Sequence, residues 1–299
     1  MTSYPLAEVI PLARRLRLPF SRDQLLLLMA AFNLFMLGLE TYLAHLISGT
    51  LVPYEWIPVI GGPVLGVILL AAGLIAFRNR IAANLTATLA LLASIVIGVL
   101  GTYFHLVRAV LPHAPLAERV SLPLLVWAPP LLAPIMFALI GVLGMSAAWQ
   151  EDPAGSGRLV LPGGARLQMP YSKTRAYFFV AGVGSLFTVI SSVLDHARTG
   201  MVNPWVWLPL AVGVFATTVS FAVGFLPRLT RYDLTWYLLA MGLMVLVGVV
   251  GAGLHAVENW AATGQLFSER FIRGAPALAP LLFANMGAIG LLALFETKS

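Results

Sequence analysis

The stretch Leu43-Ala44-His45-Leu46-Ile47-Ser48-Gly49 has a second copy in this chain, Leu194-Asp195-His196-Ala197-Arg198-Thr199-Gly200. Both copies follow the pattern Leu-x-His-x-x-(Ser/Thr)-Gly, and the numbers 43 and 194 give an offset of 151 residues. A second pair of stretches, Gly98-x-x-Gly101-x-x-x-His105 and Gly248-x-x-Gly251-x-x-x-His255, follows at an offset of 150. Motifs that recur in one order at nearly constant spacing indicate an internal duplication.

Two further landmarks keep the same order. Trp56-x-Pro58 corresponds to Trp207-x-Pro209, and Pro130-x-Leu-Ala-Pro134 corresponds to Pro276-x-Leu-Ala-Pro280. Each half of the chain therefore carries two histidines at corresponding places.

The composition places the chain in a membrane. It is 60% hydrophobic and 10% charged, with a mean hydropathy of +0.91, which is typical of proteins that use lipid as a solvent. The chain has no cysteine, so disulfides, thiolate metal sites and iron–sulfur clusters are excluded. The net charge of +6 comes from basic residues that flank apolar runs, which indicates membrane orientation and not nucleic-acid binding.

We predict an all-α polytopic membrane protein of eight transmembrane helices, since a span requires roughly 20 apolar residues. The apolar runs lie near 25–47, 56–77, 83–108, 121–148, 175–197, 204–227, 234–257 and 276–296. Four helices per half is an even number, so the two repeats should run parallel, related by a pseudo-two-fold axis along the membrane normal.

These runs predict four segments along the chain. They are an amphipathic cytoplasmic lead-in (1–24), a first four-helix repeat (25–148), a cytoplasmic connection (149–174) and a second four-helix repeat (175–299). The connection reads as two short strands around a Pro162-Gly163-Gly164 turn, and a flexible linker is the alternative.

The distribution of basic residues predicts the orientation. With a cytoplasmic N-terminus, 13 of the 18 Lys and Arg residues fall in cytoplasmic segments. The positive-inside rule therefore places both termini in the cytoplasm. We expect a multi-pass protein of the bacterial inner (cytoplasmic) membrane.

The histidines are the candidate cofactor ligands. His45, His105, His196 and His255 each lie near the outer end of a helix that runs outward, so all four should lie at one depth near the periplasmic face. Paired imidazoles in an apolar slot are typical ligands of b-type haem. We predict two b haems, with His45 paired to His105 and His196 paired to His255. The chain would then transfer electrons between a periplasmic or membrane redox partner and a quinone or an oxidase; whether it is an enzyme stays open.

Two other interpretations remain. The same four histidines could bind copper or zinc directly, since imidazole suits both metals. Alternatively, the chain is a cofactor-free scaffold subunit whose histidines face the membrane interface.

Three acidic residues lie near the predicted histidine layer. Glu40 precedes His45 by five residues, and an intramembrane carboxyl is a functional candidate. Asp195 adjoins His196, and Glu258 lies one helical turn after His255. All three are candidate second-sphere partners of the imidazoles, and the alternative for Asp195 and Glu258 is simple exposure to periplasmic water.

Overall fold

A computed structural model of the chain describes residues 9–10, 20–49, 51–109, 126–127, 130, 132–261, 269–270, 274–276 and 278–295. Its well-defined helices are α1 (Arg22–Ser48), α2 (Trp56–Ile75), α3 (Arg80–Ala109), α4 (Leu132–Ala148), α5 (Lys173–Ala197), α6 (Trp207–Phe225), α7 (Arg231–Ala261) and α8 (Leu281–Ala293).

The chain is a multi-pass membrane protein. Among the described helices, six are long and apolar enough to cross a bilayer, namely α1, α2, α3, α5, α6 and α7. Large apolar side chains point outward along them; Leu74 and Ile81, for example, are each 71% exposed. Such exposure in water would be costly over so many side chains, whereas lipid accommodates it.

The described helices α4 and α8 have 17 and 13 residues, and parts of the predicted spans 121–148 and 276–296 lie outside the described residues. Pro134 lies in the first turn of α4, and Pro280 immediately precedes α8. Proline lacks a backbone N–H and is best tolerated in the first turn of a helix, which is where Pro134 lies. The count of eight spans stays a prediction.

The element starts recur along the chain. Helices α1 and α5 begin at 22 and 173, α2 and α6 at 56 and 207, and α3 and α7 at 80 and 231, each an offset of 151. A 3-10 turn precedes α2 at Pro53–Glu55 and α6 at Pro204–Val206. The order of elements therefore follows the duplicated sequence motifs, while the parallel arrangement and its axis stay a prediction.

The polar connection at 149–174 is a small antiparallel sheet. Strands β1 (Gln150–Glu151), β2 (Arg158–Val160) and β3 (Arg166–Gln168) pair in that order. Gly163 and Gly164 adopt φ near +85° at the β2–β3 turn, a backbone conformation that favours glycine. The carboxylate of Glu151 accepts hydrogen bonds from the backbone N–H groups of Gly155, Gly157 and Lys173. Of the two alternatives left open by the sequence, the structure therefore has the hairpin.

The contacts divide the chain into two compact units. The first unit comprises Asp23–Lys173 and Ile190–Val202, and the second comprises Met1–Arg22, Thr174–Val189 and Asn203–Ser299. The segment boundaries predicted from the sequence are a separate division of the chain and stay a prediction.

The first unit is held together by close helix packing and a buried ion pair. An added Cβ at Gly98 of α3 would collide with the backbone nitrogen of Ala138 of α4, so these helices touch through their backbones. Ser94 donates a hydrogen bond of 2.7 Å to the carbonyl oxygen of Phe137 across the same contact. At the start of α5, the buried Lys173 Nζ lies 2.6 Å from Asp23 Oδ2.

The second unit repeats the α3–α4 contact in α7 and α8. An added Cβ at Gly248 would collide with the backbone nitrogen of Ala284. The buried Tyr237 donates a hydrogen bond of 3.1 Å to the carbonyl oxygen of Gly290, and its ring lies 4.8 Å from that of Phe178. Small residues thus allow the close helix approach in both units.

Candidate functional site

His45 lies in the last turn of α1, in the first unit, where its side chain is 17% exposed. Its Nδ1 is 3.4 Å from Oε1 of Glu55, and the side chain of Glu55 is only 6% exposed. The second carboxylate oxygen of Glu55 accepts a hydrogen bond of 2.9 Å from the backbone N–H of Val52. The turn between α1 and α2 therefore holds a buried carboxylate against the His45 imidazole.

His105 of α3 lies next to His45. The centroids of the two imidazole rings are 6.0 Å apart, and their planes make an angle of 80°. Nδ1 of His105 is 3.0 Å from the carbonyl oxygen of Pro130. Because a carbonyl oxygen only accepts, Nδ1–H of His105 is the donor, and in the neutral ring Nε2 carries the lone pair. The structure thus brings together the first predicted histidine pair.

His255 of α7 has the same relationship in the second unit. Its Nδ1 lies 3.0 Å from the carbonyl oxygen of Pro276, which corresponds to Pro130 in the duplicated pattern. The neighbouring Ala275 is bound at both backbone groups by the buried amide of Asn259, which donates to the carbonyl oxygen at 2.7 Å and accepts from the N–H at 2.8 Å. This double hydrogen bond fixes the segment that carries the His255 acceptor.

His196 of α5 belongs to the first unit and is half-buried. Its backbone carbonyl accepts hydrogen bonds from Thr199 Oγ1 at 2.8 Å and from the N–H of Met201 at 3.1 Å, which closes the end of the helix. Arg198 Nε donates a hydrogen bond of 2.7 Å to the carbonyl oxygen of Val126. Since His255 belongs to the second unit, the predicted pairing of His196 with His255 stays a prediction.

The predicted acidic partners lie on the surface or near it. Glu40 is half-buried on α1, whereas Asp195 and Glu258 are exposed. That Glu40, Asp195 and Glu258 are second-sphere partners of the histidines stays a prediction.

Glu55, the acid whose contact with His45 is described above, is not among the residues that the sequence pattern indicated. One signal could have revealed it. Glu55 directly precedes the repeated Trp56-x-Pro58 motif, and its counterpart before Trp207 is the apolar Val206. A charged residue at one copy of a duplicated apolar position is a candidate for a local function.

Aromatic side chains surround this end of the first unit. The rings of Tyr42 and Trp56 are 6.0 Å apart, and those of Tyr54 and Phe104 are 5.5 Å apart. Tyr54, Trp56 and Phe104 are all exposed. Exposed aromatic residues at helix ends are typical of the membrane–water interface.

The donor set limits the chemistry of the site. In the part of the chain that the structure describes, no group of three or more His, Asp or Glu side chains is placed to hold one metal ion. The His45–His105 pair offers two imidazoles. The two rings come from different helices, and their centroids lie 6.0 Å apart.

Comparisons with protein-family models, with curated proteins and with solved structures found no match to this chain.

Proposed function

We propose that this chain is an integral membrane electron-transfer protein that binds b-type haem, in which His45 and His105 would hold one haem. The observation that carries the proposal is the pair itself: two imidazoles from different helices, with ring centroids 6.0 Å apart. Haem supplies four equatorial nitrogens of its own, so it requires only two protein ligands, and it cycles between ferric and ferrous iron.

The polar contacts of the two histidines support the same proposal. A metal-binding imidazole typically donates its other N–H to a carboxylate or a backbone carbonyl, which fixes the tautomer and the ring orientation. Nδ1 of His105 lies at hydrogen-bond distance from a backbone carbonyl oxygen, and Nδ1 of His45 lies 3.4 Å from a carboxylate oxygen. Each ring is thus oriented through Nδ1, and Nε2 is the nitrogen suited to bind iron.

The second half of the chain contains a histidine with the same contact as His105. Nδ1 of His255 has the same partner as Nδ1 of His105, the carbonyl oxygen of the first proline in the Pro-x-Leu-Ala-Pro motif. We therefore keep His255 as a candidate ligand of a second b haem, and its pairing with His196 rests on the duplicated motifs alone. Within the same proposal, the chain has eight spans in two parallel repeats, cytoplasmic termini and a location in the bacterial inner membrane. A quinone and a periplasmic or membrane redox partner would exchange electrons with it.

Haem explains the histidine pair better than a bare metal ion does. Copper or zinc bound only by protein usually takes three or four side-chain ligands. Such a group is missing among the residues that the structure describes, whereas a two-imidazole pair is present.

The test is a dithionite-reduced minus air-oxidised visible spectrum of the detergent-purified protein, expressed with ample haem, with metal analysis of the same sample. We expect a sharp b-type band in the reduced protein and one iron per haem, up to two per chain. If the protein lacks this band but contains copper or zinc, the proposed haem is overturned in favour of direct metal binding. If the protein is colourless and free of metal, haem and direct metal binding are both excluded, and a cofactor-free scaffold subunit is the interpretation that stands.

A further inference from the structure

The carboxylate of Glu55 is held in one position by its surroundings. Oε2 accepts the backbone N–H of Val52 at 2.9 Å, and Oε1 lies 3.4 Å from Nδ1 of His45. Glu55 is 6% exposed, so little solvent screens the charge from the imidazole. The carboxylate is therefore directed at the His45 ring.

The second half builds the same turn without a carboxylate. Before α6, the 3-10 turn Pro204–Val206 is capped by Asn203, whose Oδ1 accepts the backbone N–H of Trp205 at 3.0 Å. Val206, 7% exposed, occupies the place that corresponds to Glu55. The turn can thus be capped by an asparagine, and it does not depend on a glutamate.

The histidines of the two halves differ in the group that their Nδ1 atoms contact. Nδ1 of His105 and Nδ1 of His255 each contact a neutral carbonyl oxygen, whereas Nδ1 of His45 contacts a carboxylate. A carboxylate acceptor makes an imidazole a stronger electron donor to its metal than a carbonyl does. Its negative charge also stabilises the more positive ferric state.

We infer that Glu55 lowers the reduction potential of the haem held by His45 and His105. The inference rests on the proposed function and goes beyond it, because it assigns the tuning of one haem to one residue. Glu55 is a positioning and tuning residue that acts through His45.

The experiment is a spectroelectrochemical redox titration of the purified haem-loaded protein, in the wild type and three variants. Glu55→Gln removes the charge with little change of shape. The double variant Val52→Asn/Glu55→Val transplants the cap of the second half and so keeps the turn. Asp152→Asn is the control, since it removes one exposed carboxylate from the polar hairpin.

We expect both Glu55 variants to raise the midpoint potential of one haem. The equilibrium constant for its reduction should rise about tenfold or more, and about 59 mV corresponds to tenfold for a one-electron couple. The haem that shifts should be the one that His45→Ala removes. Asp152→Asn should keep the wild-type potential.

The other outcomes contradict the inference, and they show whether the proposed function is also wrong. A wild-type protein without haem would overturn the proposed function together with this inference. Haem with an unchanged or lowered potential in both Glu55 variants would overturn the inference and leave the proposed function standing. Loss of one haem from both variants would make Glu55 a residue required for binding, which also contradicts a tuning role.

Discussion

The imidazole ring of His45 on α1 lies 6.0 Å from that of His105 on α3, with the two planes at 80°. Nδ1 of His45 lies 3.4 Å from a carboxylate oxygen of Glu55, and Nδ1 of His105 lies 3.0 Å from the carbonyl oxygen of Pro130. If both side chains hold one haem, removal of either side chain should release that haem.

His45→Ala and His105→Ala should therefore each remove the same haem. We expect each single variant to lose the same component of the reduced-minus-oxidised spectrum, and the double variant to lose no more than either one. His113→Ala is the control, because His113 has no counterpart in the second half of the sequence. Loss of different spectral components in the two single variants would contradict the His45–His105 pairing.

The ion pair of Lys173 and Asp23 should be important for stability. The Lys173 side chain is 1% exposed and its Nζ also donates to the carbonyl oxygen of Trp149 at 2.7 Å, while Asp23 is 22% exposed. Asp23→Asn leaves a buried ammonium without its counter-charge and should cost about 3 kcal/mol. Lys173→Met leaves only a partly exposed carboxylate and should cost less.

Thermal unfolding in detergent measures both variants of this ion pair. Glu269→Gln, a change of a half-buried carboxylate on another part of the chain, provides the comparison. Equal melting temperatures for the wild type and Asp23→Asn would show that the ion pair contributes little.

The matching glycines of α3 and α7 should tolerate no side chain. In Gly98→Ala and Gly248→Ala the new methyl group would collide with the backbone of Ala138 and of Ala284. A backbone cannot move aside as a flexible side chain can, so we expect each variant to lose about 1–3 kcal/mol of stability.

The control for the glycine variants is Gly253→Ala on α7. Nothing lies within 4 Å of an added Cβ at Gly253, so this variant should melt at the wild-type temperature or above it. A melting temperature for Gly248→Ala equal to that of Gly253→Ala would argue against the close α7–α8 contact.

The polar hairpin should face the cytoplasm. Because the chain has no cysteine, single-cysteine variants can be labelled without background. Ala154 is exposed in the turn before β2, and Thr199 is exposed just after the end of α5. Each of these residues is replaced by cysteine in a separate variant. In intact cells, a membrane-impermeant maleimide should label Thr199→Cys and not Ala154→Cys, since the positive-inside rule places the hairpin inside. The reverse pattern would invert the proposed orientation.

Much of the fold follows from local sequence patterns. The long apolar runs predict helices that the structure places within a few residues, such as 25–47 against Arg22–Ser48. Helix formation in lipid depends on the chain's own backbone hydrogen bonds, so it can be deduced from local composition.

The candidate site was predictable only in part. The duplicated spacing singled out His45 and His105 as a pair within one repeat, and the structure places their rings 6.0 Å apart. Glu55 was missed because its role depends on the turn after α1, which folds the carboxylate back onto His45. Glu40, Asp195 and Glu258 were chosen by closeness along the helix, although the direction of a helical side chain changes by about 100° per residue.

By itself, the sequence determined that this protein is apolar, helical, free of cysteine and duplicated in its motifs, since these properties depend on composition and spacing. Only the tertiary structure decided which groups contact which: Glu55 with His45, Pro130 with His105, and Asp23 with Lys173. The physical reason is that a hydrogen bond or an ion pair requires atoms within about 3–4 Å. The distance between two residues along the chain does not fix that separation, whereas the packing of helices and turns does.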